Sequence, residues 1–207
     1  MDIHEIRKLS DISFEDWKKV RYKDGHYRTK APFDLEMRTK NILDIKRVLD
    51  SVGLKFWLTN GTALAARREG DWIKWDDDVD LDVMMEDFLP KHDEIRELFI
   101  SEGFIFRTRH LLNSTSAKVS MFRGGEKTAL RPLYLDKNYY NNEYRLRHAY
   151  KYPRKFYESS ETIEFIGETF NIPSPSKEFM EWCYGKNWKT PLNSDDESVY
   201  SPSQIKR

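Results

Sequence analysis

Apolar positions in this chain fall into two rhythms. From Pro32 onward, Leu35, Ile42, Ile45, Leu49 and Val52 recur at spacings of three, four or seven, the period of a helix with one buried face. Proline at the start and Gly53 just past the end punctuate such a helix. Leu54 to Thr59 reads as a strand, Asn60-Gly61-Thr62 as a turn, and Thr62 to Glu69 as a short helix that Gly70 ends. The rhythm then changes. From Asp78 onward, aspartate alternates with Val79, Leu81 and Val83, which predicts a strand over 78–85. Glu86 to Glu102 returns to helical spacing, with Phe88, Ile95, Leu98 and Phe99 inward and Gly103 as its stop. His92 falls on the polar face of that helix and reads as a surface residue. Residues 104–109 and 117–123 read as strands, Gly124-Gly125 as a hairpin turn, and Lys127 to Leu135 as the next strand. Ser176 to Tyr184 closes the pattern as a helix, with Ser176 as its N-cap and Phe179, Met180 and Cys183 inward.

These elements predict an α+β fold: a mixed β-sheet with helices packed on it, plus a C-terminal helical segment. A length of 207 residues suits one domain, placed at 1–192 with its core at 33–136. A short helix is expected around 13–21, and the polar stretch 193–207 predicts a mobile tail.

The alternating strand carries the candidate chemistry. Five aspartates fall within 76–82. Strand geometry puts Asp76, Asp78, Asp80 and Asp82 on one face, about 6–7 Å apart along it. Carboxylates that close repel one another unless something positive lies among them, and a hard divalent cation with oxygen ligands is the natural partner. An EF-hand loop is excluded, because counting from Asp76 its sixth and twelfth places hold Leu81 and Asp87 rather than Gly and Glu. A solvated acidic run is disfavoured by the flanks, Trp72, Ile73 and Trp75 before it and Val83, Met84 and Met85 after. A metal-binding catalytic strand and a purely structural acidic strand remain as the two readings. The turn at Gly61 adds backbone N–H groups that could hold a phosphate, with Arg67 and Arg68 one or two turns later.

Composition narrows the class. Lys plus Arg equals Asp plus Glu, so overall charge gives no nucleic-acid signal, and nucleic-acid polymerisation is disfavoured. One cysteine, Cys183, rules out an internal disulfide and fits a reducing compartment. No stretch approaches the roughly 20 apolar residues of a membrane span. The residues Met1 to Glu5 do not resemble a secretory leader, so a cytoplasmic location is expected. Cations gather later in the chain, at Arg107, Arg109, Lys118, Arg123, Lys127 and Arg131. Residues 144–157 then mix cations with tyrosines. That mixture suits a diphosphate with a base or sugar, or equally a solvated basic face with rings at the core boundary.

The stretch Gly61-Thr62-Ala63-Leu64-Ala65-Ala66-Arg67-Arg68-Glu69-Gly70, followed by Trp75-Asp76-Asp77-Asp78-Val79-Asp80, resembles the signature of the LicD/fukutin-related family. The likeness is close over 54–85 and looser over Tyr184 to Pro191. It implies a nucleotidyltransferase-like fold and transfer of a phospho-substituent, such as phosphocholine or ribitol phosphate, from a CDP-linked donor to a glycan hydroxyl. By that likeness Asp78 and Asp80, with Asp76, hold Mg²⁺ or Mn²⁺. The likeness also sets Gly61, Thr62 and Arg68 toward the phosphates, and from the cluster of cations Lys118 and Arg131 are added as candidate substrate-binding residues. Asp80 or Asp82 serves as general base. Ala65 replaces the family's usual glycine. The third carboxylate that such folds carry on a later strand has no obvious counterpart: Asp136, Asp82 or no residue at all could stand in for it. Two other functions stay open, transfer of a whole nucleotide to a small molecule or protein, and a non-catalytic nucleotide- or glycan-binding module.

Overall fold

A computed structural model describes residues 33–110, 117–145 and 148–191, and the side chains of these except 109, 110, 117, 136, 139–145 and 148–150. The expected helix at 13–21 and the tail at 193–207 lie outside the described residues.

Helix α1 spans Leu35–Ser51. Asp34 caps it, its carboxylate accepting from the Met37 N–H at 2.9 Å. Ile42, Ile45, Val48 and Leu49 are its buried stripe, and Gly53 leaves it in the left-handed region that glycine enters without strain. Strand β1 (Phe56–Leu58) leads into α2 (Asn60–Leu64), which widens into a π-helical turn over Ala65–Glu69. Gly70 ends that turn with φ 69°. Strand β2 is Val79–Met84.

The predicted helix over 86–102 is three pieces: α3 (Met85–Phe88), a 3-10 turn (Leu89–Lys91) and α4 (His92–Ser101). Pro90 sits in the 3-10 turn, where it lacks an N–H to continue an α-helix. His92 is not at the surface. It is 5% exposed, its Nε2 lies 2.9 Å from the Thr108 hydroxyl, and its ring sits edge-on to Phe88. A helical wheel counts His as polar; the sheet under α4 offers it a hydroxyl partner, so burial carries little penalty.

Strands β3 (Ile105–His110), β4 (Ala117–Arg123) and β5 (Glu126–Asp136) follow, with Gly124 and Gly125 both at positive φ in the turn between the last two. The sheet order is β1-β2-β5-β4-β3. Strands β2 and β5 run parallel and the other neighbours in that path antiparallel, so the sheet is mixed as predicted. The far half of β5 pairs with β6 (Tyr139–Arg145), and β6 with β7 (His148–Pro153). After α5 (Lys155–Glu158), β8 (Ser160–Phe165) and β9 (Glu168–Pro173) form a separate hairpin. Asn171 donates to the Phe56 carbonyl at 3.2 Å and Trp57 Nε1 to the Ser160 hydroxyl at 2.8 Å, so this hairpin covers the outer edge of β1.

Helix α6 spans Ser176–Tyr184, with Phe179, Met180 and Cys183 buried as predicted. Ser176 is its first residue and not its N-cap. Its N–H donates to Glu161 Oε1 at 2.9 Å and its hydroxyl to Glu161 Oε2 at 2.5 Å. A carboxylate from β8 therefore does the capping, favoured by the positive end of the helix.

Candidate active site

Strand β2 is interior to the sheet, paired with β1 on one side and β5 on the other. Val79, Leu81 and Val83 are fully buried, as the alternation predicts. The aspartates on its other face do not share one environment.

Asp76 lies on the loop before β2. The Arg38 guanidinium fixes this loop by donating to the Asp76 carbonyl at 2.8 Å. Arg38 is itself buried, with Nε and Nη2 donating to Glu126 Oε2 at 2.9 and 2.6 Å and its face over Phe33 and Trp72. Trp72 Nε1 ties the loop to the Thr39 hydroxyl at 2.7 Å, and the Asp76 N–H donates to the Ile73 carbonyl at 3.1 Å. The Asp76 carboxylate then sits directly against Gly61, where a Cβ would stand 2.1 Å from Oδ2. Glycine at 61 is required by that close approach.

Asp76, Asp77 and Asp78 each offer a carboxylate oxygen, all within 4.8 Å of one another. Three hard oxygen donors in that space fit a single Mg²⁺ or Mn²⁺. Desolvation, then Asp78 and Asp80, hold the Asp76 carboxyl well above the usual range. Desolvation and the Asp78 charge push Asp80 up to about 6, against the pull of Arg131, Lys118 and Lys127. Desolvation would raise Asp78 too, but its ion pair with Lys127 outweighs that and keeps it low. Such crowding raises carboxyl pKa values because only one charged group of several is easily borne, and a bound cation would reverse it.

The remaining predicted residues are placed as follows. The Thr62 hydroxyl accepts the Asp80 N–H at 2.9 Å, so Thr62 pins α2 to the acidic strand. Gly61 and Thr62 thus touch the acids themselves, where the sequence suggested a phosphate. Lys118 is close enough to Lys127, Asp80 and Asp78 to feel all three. Desolvation and Lys127 bring its amine down to about 8, against the two acids. Arg68 is 9% exposed; its Nε donates to Glu69 at 2.7 Å, and Nη1 reaches the Trp188 carbonyl at 3.4 Å.

Asp82 and Arg131 differ most from expectation. Arg131 Nε donates to Asp82 Oδ1 at 3.0 Å, and the Tyr157 hydroxyl donates to Asp82 Oδ2 at 2.7 Å. Side-chain exposure is 0% for Asp82 and 2% for Arg131, which leaves neither any surface for a substrate. Arg131 Nη2 also donates to the Thr59 hydroxyl at 3.2 Å. The Asn60 carboxamide, with its oxygen turned to Arg131, donates to the Tyr152 hydroxyl at 3.0 Å. Desolvation, then Asp82, keeps the Tyr157 hydroxyl protonated far above its ordinary range, as a donor to a buried carboxylate must be. The Asp136 side chain lies outside the described ones, but its backbone position decides its case. Ala129 is the β5 residue opposite Asp80, and Asp136 is seven residues further on, about 20 Å along a strand. Among the β5 residues paired with β2, Thr128 to Leu133, none is a carboxylate, and Glu126 just before them is held by Arg38.

The family model described as "LicD/FKTN/FKRP, nucleotidyltransferase domain" matches residues 53–175, more than half of the chain. The chain belongs to this family. Among LicD/FKTN/FKRP relatives it is 24% identical over 210 residues to mouse ribitol-5-phosphate transferase FKTN, covering 95% of this chain and 45% of that protein. Human ribitol 5-phosphate transferase FKRP is 50% identical over 40 residues, 19% of this chain and 8% of that protein. The chain spans less than half the length of these relatives. The solved structure of the lincosamide adenylyltransferase LnuA with lincomycin superposes with a TM-score of 0.45 at 11% identity, covering 65% of this chain and 79% of that one. ANT(2")-Ia with adenylyl-2"-tobramycin superposes with 0.47 at 21% identity, covering 70% and 73%.

Arg38 and Glu126 went unread as parts of the site in this LicD-family chain, while Lys127 and Tyr157 were read only within the cation cluster and the 144–157 stretch. Arg38 had one available signal, a cation on the apolar side of α1 between Leu35 and Ile42. Nothing in the order of residues pairs Tyr157 with Asp82, which it meets from 75 residues away.

Proposed function

We propose that this LicD-family domain is a metal-dependent transferase. It moves a phospho-substituent, of the kind named for its ribitol-5-phosphate-transferase relatives, from a CDP-linked donor to a glycan hydroxyl. The observation that carries this is the Asp76–Asp78 cluster of carboxylate oxygens, set against Lys118 and Lys127 on the same sheet face. Acids gather the cation and lysines neutralise phosphate, so both halves of a metal–diphosphate complex find opposite charge.

Asp76, Asp78 and Asp80 would hold Mg²⁺ or Mn²⁺, with Asp77 in reach of the first two. Bound there, the cation supplies Lewis-acid charge to the donor phosphates. Gly61 keeps room for the Asp76 carboxylate, Arg38 holds its backbone, and Thr62 and the Asp82–Arg131–Tyr157 cluster hold the strand. The acceptor hydroxyl oxygen forms a bond to the phosphorus bearing the substituent, and the bond from that phosphorus to CMP breaks. Asp80, on the same strand face, would take the hydroxyl proton as general base. Asp82 is excluded from that role by its burial between Arg131 and Tyr157. Positioning and electrostatics supply most of the rate in such a transfer.

The test offers the protein CDP-ribitol, CDP-glycerol or CDP-choline with Mg²⁺ and measures nucleotide release. CMP appearing with wild type and lost with Asp80→Asn supports the reading. Pyrophosphate released from CTP would assign nucleotide transfer instead. Metal-dependent nucleotide binding with no turnover would assign a binding module.

A further inference from the structure

The face of β5 that looks toward the aspartates carries Lys127, Ala129 and Arg131, by alternation. In the parallel pairing Ala129 stands opposite Asp80 and Arg131 opposite Asp82. On the other side of β5, Ser120 of β4 stands opposite Ala129, and Lys118 lies two residues before it on the same face. Phosphoryl-transfer sites with two ions hold them about 3.5–4 Å apart between carboxylates on both sides. Here one side has the carboxylates. The other has a methyl group flanked by cations.

Lys127 does not simply lie nearby. Its Nζ forms an ion pair with Asp78 Oδ2, and both side chains are 15% exposed, so the ammonium is held at the edge of the carboxylate cluster, within reach of solvent. Arg131 is committed to Asp82 and Thr59. A second dication on this flank would have to displace the Lys127 ammonium, and the β5 residues paired with β2, Thr128 to Leu133, include no carboxylate to replace it, while Glu126 is held by Arg38. An ammonium brings three N–H donors and a compact charge, which suits a phosphate oxygen.

We infer that this site takes one divalent ion, and that Lys127, with Lys118 beside it on β4, does for the donor's diphosphate what a second ion does elsewhere. The inference rests on the phosphotransferase reading and goes further than it, by fixing the metal count and naming the cations that bind phosphate. On nucleotide binding the Lys127 ammonium stays within reach of Asp78 while donating to a phosphate oxygen.

The experiment titrates Mn²⁺ into the full chain with CDP present, following free Mn²⁺ by electron paramagnetic resonance, and measures CDP affinity by calorimetry at saturating Mn²⁺. One Mn²⁺ per chain is expected. Lys127→Met is expected to weaken CDP at least tenfold while Mn²⁺ still binds. Two ions per chain overturn the inference and leave the phosphotransferase reading standing, and this measurement needs no variant. CDP affinity unmoved by both Lys127→Met and Lys127→Gln also overturns it. If CDP shows no Mn²⁺-dependent binding at all, both the inference and the underlying reading fall.

Discussion

The carboxylate of Asp76 rests on the α-carbon of Gly61, so close that a methyl group on Gly61 would stand 2.1 Å from Oδ2 and 3.0 Å from Cγ. Gly61 is not at positive φ, so alanine fits its backbone. Within a helix the change is worth roughly 0.5–1 kcal/mol in alanine's favour. Gly61→Ala therefore separates stability from function. The melting temperature should stay level or rise, while the Asp76 carboxylate swings away and Mn²⁺ affinity falls at least tenfold. Calorimetric titration beside a thermal melt checks both, and unchanged Mn²⁺ affinity would remove Asp76 from the ligand set.

Tyr157 and Asp82 make a second buried contact, at 2.7 Å. Tyr157→Phe keeps the ring against Trp57 and Phe179 and deletes only the hydroxyl. A hydrogen bond to a charged group is worth about 1.5–3 kcal/mol, and urea unfolding should show a loss of that order. A loss under 0.5 kcal/mol would mean that Arg131 alone satisfies Asp82.

Arg38 and Glu126 form a buried pair, with side chains 0% and 2% exposed. Arg38→Ala leaves Glu126 Oε2 and the Asp76 carbonyl without the guanidinium, and Glu126 keeps only the Asp34 N–H on Oε1. Breaking a buried pair from one side costs about 3–5 kcal/mol. Denaturant unfolding should show that loss, and Arg38→Met with Glu126→Leu should recover most of it.

In the absence of divalent metal, stability should depend on pH in a stated direction. Asp80 titrates at about 6 in the fold, above its ordinary 3.8, so the folded state holds that proton more tightly. A raised carboxyl contributes stability that is present below pH 3.8 and lost as pH rises through 6. Lys118 is lowered from 10.5 to about 8, so its contribution is present above 10.5 and lost as pH falls through 8. The metal-free protein should therefore be weakened by its own site between pH 6 and 8. Melting curves across pH should show the acid-side step shrink in Asp80→Asn. Saturating Mg²⁺ should flatten it in wild type. An identical profile in the variant would assign the step to another group.

Much of this site was legible in the order of residues. Alternation of aspartate with Val79, Leu81 and Val83 located the strand, because burial of one face leaves a period of two in any sequence. Four expectations gave way for one reason. His92, Ser176, Asp82 and Arg131 were each read by residue type or by face, and each is placed by a partner far along the chain: Thr108, Glu161, Tyr157 and again Asp82. Strands β6 and β7 went unread because 139–153 mixes charge with tyrosine and lacks a clean period, and the short alternation of Ile163 with Phe165 and of Phe170 with Ile172 was passed over.

The chain by itself determined where the acids stand and which element carries them, since these depend on neighbours in sequence; the contact of the Gly61 turn with them is made only in the fold. Only the tertiary structure decided which acids remain open to a ligand. Val79 and Leu81 would be buried in any sheet, but Asp82 differs from Asp80 because Tyr157 and Arg131 arrive from elsewhere to cover it. Desolvation and charge pairing act through space, so two aspartates two residues apart on one strand face end in different surroundings.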